Sequence, residues 1–176
     1  MTETRILLLR AVNVGGTKLP MAELREVAEG LGAIEVSTYI ASGNLICTPP
    51  GDPEEFDRAL EQAVEKRFGF FREVISRSRD EVQAALDAYP FEVVEAKYSY
   101  VTFLLAEPTP EAVAKARTFA TGDDVWEVIG REMHVRYADG AGRPQMKDVS
   151  IGRALGVPGT ARNLNTVRKL LALTEG

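Results

Sequence analysis

Apolar positions along this chain switch between two periods, and the switches mark the elements. Residues 5–11, Arg-Ile-Leu-Leu-Leu-Arg-Ala, hold a short unbroken apolar run, which predicts a strand buried on both faces. Met21, Leu24, Val27, Ala28 and Leu31 then recur at helical spacing, with Pro20 at a first helical position and Gly32 as the stop. Strands are predicted over 34–41 and 45–49, joined at Ser42-Gly43-Asn44, where Gly-Asn favours a type II′ hairpin. Asp52-Pro53-Glu54-Glu55 is a capping box, and the helix it opens carries the apolar stripe Phe56, Leu60, Ala63, Val64 and Phe68. Residues 70–77 return as a strand.

The order so far is β-α-β-β-α-β, the split βαβ or ferredoxin-like unit of the α+β class. The remainder partly repeats it. A helix capped by Ser78, with Glu81 three positions on, runs to about Tyr89. A strand near 97–105 follows, then a helix opened by Thr109-Pro110-Glu111 and a hairpin of 124–129 with 131–137. After the loop Asp139-Gly-Ala-Gly142-Arg143 come a short helix from about Val149 and a last helix from about Ala161 to Leu173. The expectation is an α+β protein of two ferredoxin-like subdomains, 1–78 and 79–176, packed as one compact unit, the second with an altered ending.

Topology adds what the linear pattern lacks. In a βαβ crossover the first two strands run parallel, so the end of the first strand and the hairpin after the second share one edge. That sets Arg10-Ala-Val-Asn13-Val-Gly15-Gly16-Thr17-Lys18 beside Ser42-Gly43-Asn44. Two adjacent glycines, an amide side chain and cations before a helix N-terminus form a turn that can receive an anion. Leu19 is a poor N-cap, so the first amides of that helix need partners from elsewhere. A third string is Thr160-Ala-Arg162-Asn163-Leu-Asn165-Thr166-Val-Arg168-Lys169. Read as a helix, it buries Leu164, Val167 and Leu171 and puts Arg162, Thr166 and Lys169 on the opposite face, with an arginine in the first turn against the helix dipole. Local propensity would not choose this string, so tertiary contacts or a ligand did.

The candidate ligand-binding residues are therefore Arg10, Asn13, Gly15, Gly16, Lys18, Ser42, Gly43, Asn44, Arg162, Asn163, Asn165 and Thr166. A structural reading stands beside this one. In it Gly15 and Gly16 only supply positive φ, Asn13 and Asn44 close their own turns through side-chain hydrogen bonds, and the Arg162 string is a buried polar network.

Composition mainly excludes. With 176 residues, 45% hydrophobic, the chain is long enough for a packed core and is no disordered tail. A net charge of −5 gives no global signal for nucleic acid, although six cations face one acid between Arg143 and Lys169. Met-Thr-Glu-Thr-Arg5 lacks a signal-peptide pattern and no apolar run spans a bilayer, so a cytoplasmic protein with no membrane partner is expected. His134 and Cys47 are the sole residues of their kinds, both expected at half-buried strand positions. No internal disulfide, Cys/His zinc site, His-based triad or Cys–His dyad is expected, nor any cofactor or metal. No Gly-Lys-Ser/Thr follows the glycine loop, so it is not a P-loop. Asp123 and Asp124 adjoin in a turn without the marks of a catalytic pair, and Phe70 and Phe71 point to opposite faces of a strand.

Three strings together resemble one family. Leu9-Arg10-Ala-Val-Asn13-Val-Gly-Gly16 with Met21-Ala-Glu-Leu24, Thr38-Tyr39-Ile-Ala-Ser42-Gly-Asn44, and Thr160-Ala-Arg162-Asn163-Leu-Asn165-Thr166-Val are similar to the domain of unknown function (DUF) 1697 family of small bacterial proteins. The resemblance implies two ferredoxin-like subdomains and carries no activity or catalytic residues. Leu164 stands where the family usually has tryptophan, and Pro144-Gln145 where it tends to have Ser-Lys.

The leading functional expectation is binding of a phosphate-bearing ligand, a nucleotide or short nucleic acid, at the glycine edge. One alternative is an enzyme acting on an anionic metabolite, with Ser42 or Tyr39 as its protic group and no identified base. The other is a structural or protein-interaction module without a small ligand. Oligomeric state is left open, a monomer being the simpler expectation.

Overall fold

A computed structural model describes residues 3–175. Two compact units emerge, one running through Val82 and resuming at Leu170, the other Gln83–Lys169. In the first, β1 (Arg5–Leu9), α1 (Met21–Gly30), β2 (Ile34–Tyr39), β3 (Asn44–Thr48), α2 (Pro53–Phe68) and β4 (Val74–Ser78) are followed by α3 (Arg79–Asp87). In the second, a single 3-10 turn (Ala96–Tyr98) leads into β5 (Ser99–Leu104), α4 (Pro110–Ala116), β6 (Val125–Ile129), β7 (Glu132–Arg136), α5 (Asp148–Leu155) and β8 (Gly159–Asn163), and α6 (Leu164–Leu173) follows. The sheet orders are β2-β3-β1-β4 and β6-β7-β5-β8, with every neighbour antiparallel. By position the two orders are the same, so both halves are ferredoxin-like, as their element order predicts.

Hydrogen bonding repeats along with the order. Leu9 N donates to Gly43 O and Leu104 N to Arg131 O, both at 2.9 Å. Arg10 N reaches Glu73 O at 3.0 Å, as Leu105 N reaches Pro158 O at 2.9 Å. At the fourth residue of each last strand lies a buried arginine whose Nη1 donates to the preceding carbonyl: Arg77 to Ser76 O at 3.0 Å and Arg162 to Ala161 O at 2.9 Å. The next residue caps the following helix, Ser78 Oγ accepting from Glu81 N at 3.1 Å and Asn163 Oδ1 from Thr166 N at 2.9 Å.

Leu7, Leu9, Leu45, Cys47 and Val74 on one sheet face pack with Leu24, Val27, Phe56, Leu60 and Val64 of α1 and α2. On the other face Ile6, Leu8, Ile46, Ile75 and Arg77 are also buried, which is why β1 reads as an unbroken apolar run. In the second unit Leu104, Trp126, Met133 and Val135 form a core with Met146, Ile151 and Leu155. The expected caps hold: Asp52 Oδ2 accepts from Glu55 N at 3.0 Å, and Thr109 Oγ1 accepts from Ala112 N at 3.1 Å.

Three expectations are corrected. The stretch from Ala161 does not begin a helix; it completes β8, and the helix starts at Leu164. The buried positions of β8 are Thr160 and Arg162 while Ala161 is exposed, so polarity runs against burial and hides the strand. The hairpin is not a two-residue II′ turn either. Tyr39 pairs with Asn44, leaving a four-residue loop in which Ile40 (φ 49°) and Gly43 (φ 87°) are left-handed. Cys47 and His134 lie on strands but are fully buried rather than half-buried.

Asp124, read from sequence as an ordinary turn residue, is 1% exposed. Its Oδ1 accepts from Ala138 N at 2.8 Å and its Oδ2 from Gln145 N at 2.6 Å and Met146 N at 2.9 Å, tying the loop after β7 to the start of β6. Removing this carboxylate leaves three main-chain donors without their acceptor. Asp124→Ala should lose about 3 kcal/mol in urea unfolding, and a loss below about 0.5 kcal/mol would contradict the bracing role.

Candidate functional site at the glycine edge

β1 lies between β3 and β4, so the loop leaving β1, the loop entering β3 and the segment entering β4 meet at one end of the first sheet. Val12 and Leu19, both buried, pin the two ends of the first loop. Between them the main chain turns through left-handed conformations at Asn13 (φ 56°), Gly15 (φ 58°) and Gly16 (φ 86°), closed by Asn13 N to Thr17 O at 2.7 Å and Thr17 N to Val14 O at 3.1 Å. A Cβ on Gly15 or Gly16 would meet nothing within 4 Å, so backbone conformation alone calls for glycine there.

The amides do structural work. Asn13 Nδ2 donates to Leu19 O at 3.0 Å and to Ala41 O, while its Oδ1 accepts from Leu19 N at 2.8 Å; one side chain stitches both loops. Asn44 is fully buried, and its Nδ2 donates to Tyr39 O and Ser42 Oγ, both at 3.0 Å. Arg72, which no sequence pattern singled out, donates through Nε to Ala11 O at 3.2 Å and through Nη2 to Thr17 Oγ1 at 3.0 Å, and packs 5.2 Å from the centre of the Phe70 ring. Its partners are about 55 to 61 residues away in sequence, which leaves no local signal.

What faces solvent is different. Arg10 is half exposed and ion-paired to Glu73 at 3.5 Å. Lys18 is exposed, and the main-chain N–H groups of Gly15, Gly16 and Lys18 donate to no protein acceptor among the described residues. Pro20 is the N-cap residue of α1, one position before the first helical place expected for it, and no side chain caps that helix. A shallow depression of about 400 Å³ is lined by Asn13, Gly16, Thr17, Lys18, Pro20 and Ala41.

Arg162, Asn163, Asn165 and Thr166 belong to the second unit. Arg162 Nη1 also donates to Thr160 Oγ1 at 2.6 Å, and burial pulls its pKa down to about 10. Asn163 is the cap of α6, Asn165 is exposed and Thr166 half-buried.

Sequence reasoning also missed a buried polar cluster on the helical face of the first sheet. Asp57 of α2 accepts from Ser76 Oγ, which in turn accepts from Arg5 Nη2 at 2.9 Å, and Glu61 accepts from Val74 N at 2.9 Å. Burial pushes Asp57 up to about 6 despite the Ser76 hydrogen bond and the Arg5 and Arg58 charges, and it raises Glu61 as well. Cys47 is pushed up to about 12, by burial first and then by Asp57, which leaves an unreactive thiol. In the second unit His134 meets Tyr89 edge-on with ring centres 5.6 Å apart and has no hydrogen-bond partner at either nitrogen among the described residues. Burial pulls it down to about 4, so it is neutral at physiological pH. Among the described residues no group of three or more His, Cys, Asp or Glu could hold a metal, and no helix is long and apolar enough to cross a membrane.

A family model described as "Protein of unknown function (DUF1697)" matches residues 1–134, a span that includes the glycine edge and stops before β8. Among solved structures the chain is similar to a conserved bacterial protein from Streptococcus pneumoniae, at 21% identity and a TM-score of 0.79, with 100% of each chain covered. At that identity the likeness speaks for the fold. No curated protein matches the chain.

The two strongly shifted groups act on stability in opposite directions. His134 has a folded pKa below its unfolded value, so its contribution is complete above pH 6.5 and is lost as pH falls toward about 4. Asp57 has a folded pKa above its unfolded value, so its contribution is complete below pH 3.8 and is lost as pH rises through about 6. Urea unfolding of His134→Leu between those limits should show stability falling with pH, and Asp57→Asn should show it rising, each by about 2 to 3 kcal/mol. The wild-type curve should be flatter than either, and three parallel curves would contradict the assignment.

Proposed function

We infer a function for this chain, which belongs to the DUF1697 family of proteins of unknown function, from the open end of its first sheet: it binds a phosphate-bearing ligand there, a nucleotide or a short nucleic acid. The observation that carries the reading is the depression beside Gly16, Lys18 and Pro20. It combines an exposed ammonium, main-chain N–H groups without protein acceptors and the uncapped start of α1, which is the donor set a phosphate needs. Val14, Ile40 and Phe71 are 57%, 50% and 46% exposed on the three segments that meet at this end, and in this reading they supply apolar contact for a base. That favours a nucleotide over a bare phosphate or sugar phosphate.

The ligand set in this reading is Gly15, Gly16 and Lys18, with Arg10 and Ser42 at the margin. Asn13, Gly43 and Asn44 build the loops, and Arg162 and Asn163 hold β8 and cap α6. An enzymatic reading has less support: Ser42 Oγ and Tyr39 O both accept from Asn44 Nδ2 at 3.0 Å, contacts that hold the loop.

Melting curves and calorimetric titrations with a nucleoside triphosphate and a short single-stranded RNA should show ligand stabilisation of the wild type. Lys18→Ala should weaken binding about tenfold at unchanged stability. Asn13→Ala should instead cost about 1 to 2 kcal/mol of stability. If RNA is the ligand, affinity falls steeply between about 50 and about 200 mM salt. Absence of any shift in the wild type, or unaltered binding by Lys18→Ala, would contradict the reading.

A further inference from the structure

A second concavity, of about 460 Å³, lies in the second unit and is unrelated to the glycine edge in sequence and chemistry. The sheet register explains how it is built. Arg136 ends β7 opposite Ser99 on β5 and Val125 on β6, so the start of β5, the start of β6 and the end of β7 share one end of the sheet. Tyr137 N donates to Tyr98 O at 2.9 Å, which holds the two tyrosines side by side along that end. Asp123 precedes β6, while Glu92 and Glu95 come from the segment before the 3-10 turn. Glu92, Glu95, Tyr98, Asp123, Arg136 and Tyr137 all line the cavity.

Its charges are uncommitted. Among the described residues the carboxylates of Glu92, Glu95 and Asp123 and the guanidinium of Arg136 make no ion pair or side-chain hydrogen bond. Arg117 of the same unit, by contrast, pairs with Glu127 at 2.9 Å and stacks 3.8 Å from the Trp126 ring centre. The aromatic walls are fixed. Tyr137 meets Tyr100 edge-on at 5.6 Å, and a Cβ at Gly140 would come within 3.0 Å of the Tyr98 ring, so the main chain lies directly against it. Lys97 Nζ, from the adjacent residue, stands 5.3 Å over the Tyr98 ring. Burial and nearby acids hold the Tyr137 phenol protonated, with its pKa pushed up to about 12.

The carboxylates are not grouped as metal ligands. Three separated negative charges and one positive charge beside two rings instead complement an extended organic ligand with a cationic side chain and one carboxylate. We propose that this pocket binds a basic amino acid of the arginine or lysine class, free or as the C-terminal residue of a peptide. The side-chain cation is held by Glu92, Glu95 and Asp123 beside the tyrosine rings, and the α-carboxylate by Arg136.

The test is calorimetric titration of the full chain at low ionic strength with arginine, N-acetylarginine, argininamide and citrulline, followed in parallel by the tyrosine ring signals in NMR. Arginine or N-acetylarginine should bind saturably below about 10 mM. Argininamide, lacking the carboxylate, and citrulline, lacking the cation, should each bind at least about tenfold more weakly. Arginine binding better than N-acetylarginine identifies a free amino acid, and the reverse order a peptide end; either supports the pocket. Arg136→Gln should weaken arginine about tenfold and leave argininamide unchanged, whereas Glu95→Gln should weaken both. Neither side chain bonds to the protein, so both variants should melt with the wild type; Glu92→Gln replaces either one that does not. No saturable binding of arginine or N-acetylarginine, argininamide equal to arginine, or folded variants that bind as the wild type does would overturn the proposal.

Discussion

Everything at the open end of the first unit follows from the position of β1 between two antiparallel partners. A strand paired on both edges has no spare main-chain groups, so the chain must leave it exactly where β3 enters and β4 begins, and Leu9 N to Gly43 O and Arg10 N to Glu73 O complete the pairing. Three loops are thereby forced together. Gly43 makes the approach possible, since it is left-handed (φ 87°) and a Cβ there would lie 2.6 Å from Val12 Cγ2. Asn13 then uses its one side chain to hold Leu19 and Ala41, and what remains for a ligand is main chain and Lys18.

The same constraint acts on β5, and the second unit answers it with the same bonds. The most telling repeat is the pair of arginines, Arg77 and Arg162. Burying a guanidinium is costly, and a planar fork that can reach a main-chain carbonyl meets part of that cost where an ammonium on a flexible stem would do so less well. From sequence Arg162 looks like a ligand group because it breaks the rules of a helix. In the structure it is an interior residue of a strand, and its neighbour Asn163 starts the helix.

Legibility tracked how local each determinant is. Caps at Asp52, Ser78 and Thr109 could be read because cap and capped amide lie three residues apart. The β-α-β-β-α-β order followed from apolar periodicity, and three short strings sufficed to indicate the family. β8 escaped because its buried face carries Thr160 and Arg162, so alternation of apolar and polar residues does not mark it. β4 also buries Ser76, Arg77 and Ser78, but Val74 and Ile75 made it visible. Asp57 and Glu61 read as the solvated flank of an amphipathic helix because the groups that meet them, Ser76 and Val74, are supplied 19 and 13 residues later. The acidic pocket of the second unit was likewise invisible, since its residues come from segments that only sheet register brings together.

The central claim is that side chains build the glycine edge while main chain and Lys18 receive the ligand. The most direct test is an amide NMR titration of the protein with a nucleoside triphosphate. The account predicts shifts concentrated at the amides of Gly15, Gly16, Lys18, Met21 and Ala22, with the Asn13 and Asn44 side-chain amides unmoved. Shifts that avoid those main-chain amides, or none at saturating ligand, would contradict it.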